Sequence, residues 1–150
     1  MPDQNVDNTP RDDDPLAELA DLILNVGRLV RARTPAGADG VLMTETERQV
    51  MRVVDLYPGS SPSEIAARAH LQRTNVSAAL RSLEGNGMIT RKPTAGRGVE
   101  VLPTRKAAAN LRRLRAAWSR ELTGALGENL TAVRQCNDLL SGLERHFIET

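Results

Sequence analysis

The run Ser61-Pro62-Ser63-Glu64 constrains this chain more than any other four residues in it. A serine followed three residues later by glutamate is a capping box, and proline at the first helical position fits the fixed φ of a helix start. The helix opened here is short, Glu64-Ile65-Ala66-Ala67-Arg68-Ala69, because His70-Leu71-Gln72 reads as a turn. A further helix is predicted over about 73–85, with Val76, Leu80 and Leu83 on its inner face. Gly85-Asn86-Gly87 ends it with residues that tolerate a left-handed cap. Met88 to Lys92 then reads as a short strand. Pro93-Thr94-Ala95-Gly96-Arg97-Gly98 is a turn with two glycines, and Val99-Glu100-Val101 pairs back as a hairpin. Short helix, turn, helix, hairpin is the order of a winged helix-turn-helix.

The flanks are helical. Residues 1–14 are polar and acidic and read as a disordered tail. Within that end, Asp14-Pro15 supplies an N-cap and a first-turn proline. Leu16, Leu19, Ile23, Val26 and Val30 then form one apolar stripe over 15–33. Leu22 and Leu29 widen that stripe beyond one core contact, which points to a second surface and a dimer. Residues 34–40 are a loop by composition. Thr44-x-x-Glu47 is another capping box, followed by inner positions Val50, Val53, Val54 and Tyr57 and a stop at Pro58-Gly59-Ser60. Beyond the hairpin, Thr104 caps a long helix in which Leu111, Leu114, Trp118, Leu122 and Ala125 repeat in near-heptad fashion. Gly124 and Gly127 weaken its end, and a last helix carries Leu130, Val133, Leu140, Leu143 and Phe147. The expected fold is mostly α with a small β-hairpin wing. A winged helix-turn-helix at 41–103 lies between an N-terminal dimerisation helix, 15–33, and C-terminal dimerisation helices, 104–150.

Charge divides the chain in the same way. The whole chain has a net charge of only +1. Residues 61–120, however, hold 12 Lys/Arg against 3 Asp/Glu, between acidic flanks. A basic middle of this kind is suited to a polyanion. All but Lys92 and Lys106 of those cations are arginine, whose fork matches phosphates and guanine edges. With 150 residues and 40% apolar content the chain can bury a core without staples. No stretch approaches 18 uncharged apolar residues, and the first residues lack a signal peptide's pattern, so no membrane span and a cytoplasmic location are expected. One cysteine excludes an internal disulfide or a Cys-rich metal site. No nucleophile elbow, phosphate loop or paired-carboxylate pattern stands out, so neither enzymatic activity nor a cofactor nor a bound metal is expected.

The outward face of the second helix carries the expected function. A major groove admits one helix, whose N-terminal residues reach base edges. Arg73, Thr74, Asn75, Ser77, Ala78 and Arg81 face outward when Val76, Leu80 and Leu83 face in. Arginine can pair bidentately with guanine and asparagine with adenine, and small Ser77 and Ala78 allow close approach. Ser61, Ser63 and Thr74 are placed for phosphates. Arg91, Lys92 and Arg97 sit on the hairpin, where a thin arginine-tipped arm suits the minor groove. For any one of these arginines the competing reading is a solvated surface charge. The agreement of spacing, capping and charge reversal favours DNA.

The segment from Ser61 to Ile89 resembles the winged helix-turn-helix of the MarR (multiple antibiotic resistance regulator) family of transcription factors, and the flanking helices extend the resemblance over about 15–150. Arg97, Val101 and Thr104 match the family's wing pattern, whereas Ala95 stands where the family has aspartate and Pro103 where it has leucine. The resemblance implies a homodimer on a pseudo-palindromic double-stranded DNA operator, repression by occluding a promoter, and release by a small apolar or phenolic effector. Two alternatives keep the fold and change the partner: a winged-helix protein-interaction module, and an architectural DNA-binding protein of low specificity. Cys136 falls between Val133 and Leu140 and is expected to pack as a small hydrophobe rather than act as a redox sensor. His70 is expected to serve the backbone of the turn, and Trp118 to join a dimer core.

Overall fold

The computed structural model describes residues 14–34 and 41–150. Of the tail expected over 1–14 and the loop expected over 34–40, all but Asp14 and Thr34 lie outside the described residues, and those two are the caps of the first helix. In chain order the elements are α1 (Pro15–Arg33), α2 (Glu45–Leu56), α3 (Pro62–Ala69), α4 (Arg73–Gly85), β1 (Ile89–Pro93), β2 (Val99–Pro103), α5 (Arg105–Leu126) and α6 (Leu130–Glu149). The chain divides into two compact units, one ending at Thr34 and one beginning at Pro35.

The described part of the first unit is α1. Asp14 caps it, its Oδ1 accepting from Leu16 N at 3.0 Å and Ala17 N at 3.2 Å. The side chain of Thr34 closes the other end by donating to the Val30 carbonyl. None of its residues is buried, and Leu16, Leu22, Leu24 and Val26 are exposed apolar side chains.

In the second unit, α2, α3 and α4 surround one core. Val50, Val53 and Val54 from α2, Ile65 from α3, and Val76, Leu80 and Leu83 from α4 are fully or almost fully buried. Met88, Ile89 and Val101 bring the wing into the same cluster, and Ala107 adds the start of α5. Both capping boxes form: Thr44 with Glu47, and Ser61 with Glu64. Each satisfies two backbone donors that the helix start leaves open. Glu47 is buried with its carboxylate accepting from Thr44 N at 3.0 Å, so its burial is compensated.

The wing differs from expectation by a residue or two. β1 starts at Ile89 and includes Pro93, and β2 continues to Pro103. The strands are antiparallel, with Arg91 opposite Val101 and Lys92 opposite Glu100. Ser60 forms an isolated bridge with Val101, so the loop between α2 and α3 holds the wing's returning strand. At the end of α4 only Gly87 takes a left-handed conformation, φ 72°; Asn86 keeps a φ of −86°.

The trailing helices bury little within the chain. Of the near-heptad positions on α5, Leu114 is buried, whereas Leu122 is exposed and Trp118 half-buried. α6 buries no residue, and Cys136 is exposed rather than packed. The apolar periodicity was sufficient to define the helices, but their stripes extend beyond the chain's own core.

Candidate nucleic-acid interface

The two helices of the motif are finished differently at their starts. At α3 the Ser61 hydroxyl accepts from Glu64 N at 3.2 Å, and the Glu64 carboxylate accepts from Ser61 N at 2.8 Å. At α4 the N-cap is Gln72, which makes no side-chain cap bond. The first backbone amides of α4 therefore have no side-chain cap, and the open donors and dipole of such a helix start favour an anion.

His70 makes the sharp turn between the helices. It is left-handed, φ 53° and ψ 41°, and its backbone N–H donates to Ala66 and Ala67 carbonyls. The expectation of a backbone role for this histidine agrees with that conformation. Leu71 N then donates to Ala66 O at 3.0 Å, which redirects the chain into α4.

Burial sorts the residues of α4 as their spacing predicts. Val76, Ala79, Leu80 and Leu83 are buried. Arg73, Thr74, Asn75, Ser77, Ala78 and Arg81 are all exposed on the opposite side. The Arg81 Nε makes one long bond, 3.4 Å, to the Ser77 carbonyl. Among the described residues no hydrogen bond or ion pair occupies the Arg73, Thr74 or Asn75 side chain.

The wing residues divide. Lys92 and Arg97 are exposed. Arg91 is half-buried, its Nε 3.5 Å from the Glu84 carboxylate, so it ties the wing to the end of α4. At the tip Thr94 N donates to Gly98 O at 2.9 Å, and Gly98 N donates to the Thr94 hydroxyl at 3.1 Å. Thr94 thus closes the turn without any aspartate at Ala95. Arg97 sits in that turn with φ 61°, a conformation uncommon outside glycine, asparagine and aspartate.

Other cations of the basic middle are already engaged. The Arg68 guanidinium lies 4.1 Å from the centre of the Tyr57 ring and donates to the Ser60 hydroxyl at 2.8 Å. Lys106 Nζ donates to the Asn86 carbonyl at 2.7 Å, and the Thr104 hydroxyl donates to the Gly87 carbonyl at 2.6 Å. Together they fasten the end of α4 to the start of α5. Sequence reasoning counted Arg68 and Lys106 with the polyanion-facing charges; only their spatial neighbours show that they brace the site. Of the two serines at the start of α3, Ser61 is committed to its cap and Ser63 is exposed.

Comparison with known proteins agrees with this geometry. The MarR family model matches residues 43–98. No curated protein matches the chain. Solved structures do. A transcriptional repressor, CouR, bound to a 23-mer DNA duplex is 27% identical, with a TM-score of 0.59 over 84% of this chain and 94% of that one. A MarR-like transcriptional regulator from Thermotoga maritima is 22% identical, with a TM-score of 0.60 over 87% of this chain and 96% of that one. A MarR family protein from Bacillus stearothermophilus is 14% identical, with a TM-score of 0.68 over 85% and 93%. Residues 43–98 thus form a winged helix-turn-helix of the MarR family, and the chain that carries them has the fold of that family's transcription regulators.

Proposed function

We propose that this protein is a homodimeric, sequence-specific DNA-binding repressor. The observation that carries the reading is the outer face of α4: six exposed side chains suited to bases and phosphates, at the open end of an uncapped helix. Arg73, Asn75 and Arg81 read base edges. Thr74, Ser77 and Ala78 allow close approach and contact neighbouring sugar, phosphate or thymine methyl groups. Ser63 holds phosphate, and Ser61 contributes by setting the start of α3. Lys92 and Arg97 reach the backbone or minor groove, with Arg91 fixing the wing that presents them.

The dimer is formed through 15–33 and 104–150. Exposed Leu22 and Val26 on α1, Leu122 and Leu126 on α5, and Leu130 and Leu139 on α6 supply apolar area that a second copy would cover. Two-fold symmetry would then place two copies of α4 in successive major grooves, about 10 bp apart. The similarity to a repressor solved on DNA supports repression by occupancy of a promoter. Release by a small apolar or phenolic ligand is the expectation drawn from the family resemblance.

The test is fluorescence anisotropy with DNA from upstream of the protein's own coding sequence and with scrambled DNA, across a salt series. The expected result is a preference of about a thousandfold or more, with a steep salt slope. Candidate phenols titrated into the complex test release. Absence of binding at low salt would overturn the reading and favour a protein-interaction module.

A further inference from the structure

The C-terminal helix is joined to the helix-turn-helix by two long-range polar contacts that lie outside the hydrophobic core. The first is a bidentate pair. Arg52 on α2 donates from Nε to one Glu144 carboxylate oxygen and from Nη2 to the other, each at 2.8 Å. This two-point geometry fixes direction as well as distance. The second involves His70. Its ring Nε2 lies 2.6 Å from the Phe147 carbonyl and donates to it. That carbonyl is in the final turn of α6, where carbonyls lack a partner within the helix.

His70 occupies a particular place. It is the left-handed residue of the turn, two positions before the N-cap of α4 and three before Arg73. A residue that anchors α6 is therefore also the one that sets how the recognition helix leaves α3. Meanwhile α6 contributes no buried side chain, and the core between α2, α3 and α4 is assembled without it. The Arg52 side chain is 58% exposed and that of Glu144 34%, so the pair is a surface contact with little weight in stability. Its value lies in holding one element against another.

From this arrangement we infer that Arg52, Glu144 and His70 are positioning residues for DNA binding, a clasp through which the C-terminal helix sets the orientation of the recognition helix. The inference rests on the proposed DNA-binding function. Where α6 is also covered by a second copy, the clasp links the dimer to each α4. Any ligand that moves α6 would then act on operator affinity, and operator binding would act back on that ligand to the same degree.

The test uses the full chain and three variants: Arg52→Glu, Glu144→Arg, and the double charge swap. Operator affinity, salt slope, thermal unfolding and amide exchange over residues 70–75 are measured on each. Either single variant is expected to lose about tenfold in operator affinity. The salt slope should stay unchanged, because no phosphate contact is removed. Amide exchange in the turn should rise. The double swap should restore both affinity and protection. His70→Asn, which also tolerates the left-handed backbone but lacks the ring that reaches the Phe147 carbonyl, should also raise exchange in the turn.

Single variants that bind and exchange like the parent, or a double swap that rescues neither, would overturn the clasp. A salt slope that falls by about one charge in Arg52→Glu would also overturn it, because Arg52 would then be a phosphate contact. If the parent itself shows no operator preference, the DNA-binding reading fails on its own. The exchange data then still decide whether Arg52 and Glu144 govern the turn.

Discussion

The helices α3 and α4 are neighbours in sequence and share one core, yet they are built to different ends. In α3 the side chains near the ends are spent inside the protein: Ser61 and Glu64 cap each other, and Arg68 covers Tyr57 and bonds Ser60. α4 has an uncapped start, and Arg73, Thr74 and Asn75 are left to solvent. A helix whose polar groups are internally satisfied braces. A helix whose polar groups are unsatisfied at the surface is available to a partner. The difference cannot be read from charge alone, since both helices contribute arginine to the same basic region.

The sharpest way to break the comparison is to damage the part the helices share. Leu80 is fully buried on the inner face of α4. Leu80→Ala leaves a cavity and should cost about 2–5 kcal/mol of stability by thermal or urea unfolding. Its effect on DNA binding should follow the folded fraction. The adjacent outward residue should behave in the opposite way. Arg81→Ala should leave stability within about 0.5 kcal/mol and cost about 1–3 kcal/mol of operator discrimination. An Arg81→Ala variant with unchanged specificity would show that the face opposite Leu80 is not the reading face.

A smaller effect separates the two helix starts. Ser61→Ala removes a working cap and should destabilise the protein by about 1 kcal/mol. Gln72→Asp does the reverse at α4. It adds a cap acceptor and a favourable charge at the helix start, for a gain of about 1 kcal/mol in unfolding experiments. The same carboxylate would stand where phosphate is proposed to sit, so operator affinity should fall while stability rises. A variant that gained stability and bound as well as the parent would remove the start of α4 from the interface.

These effects also mark what was legible in the sequence. Caps are local, so the starts of α2, α3 and α5 could be read from Thr44, Ser61 and Thr104. The inner and outer faces of α4 followed from a period of 3.6 residues, with Val76, Leu80 and Leu83 buried as expected. Contacts between distant residues left no such trace. Arg52 and Glu144 are 92 positions apart, and each looks like an ordinary surface charge until the fold joins them. Arg91 read as a wing cation facing DNA like Lys92 and Arg97, because its ion pair with Glu84 depends on how the hairpin folds back on α4. Cys136, expected to pack as a small hydrophobe, is exposed within the single chain for a related reason. An apolar stripe reports which residues share a face, whereas burial depends on what lies opposite, and within the described chain no residue of α6 is fully buried.

The smallest predicted effect concerns acid, and it tests whether the contact between α2 and α6 is a surface accessory to the motif. The guanidinium of Arg52, through its hydrogen bonds, holds the Glu144 carboxyl below the ordinary glutamate value of 4.5. Its contribution to stability is therefore complete above that value and is lost as pH falls through the lower folded one. Asp55, one turn along α2, moves the other way: burial raises its carboxyl above 3.8, only partly offset by the Arg52 charge. The folded state is penalised while Asp55 is ionised and relieved as acid protonates it. Between about pH 5 and 3 the two contributions oppose each other, each less than about 1 kcal/mol for so exposed a cluster. Asp55→Asn removes the relief, so its stability should fall more steeply with acid than the parent's. Glu144→Gln removes the loss, so its stability should fall less steeply. Urea midpoints measured across that range decide the matter, and parallel curves for the two variants would mean that Arg52 does not lower the Glu144 carboxyl and that burial does not raise that of Asp55.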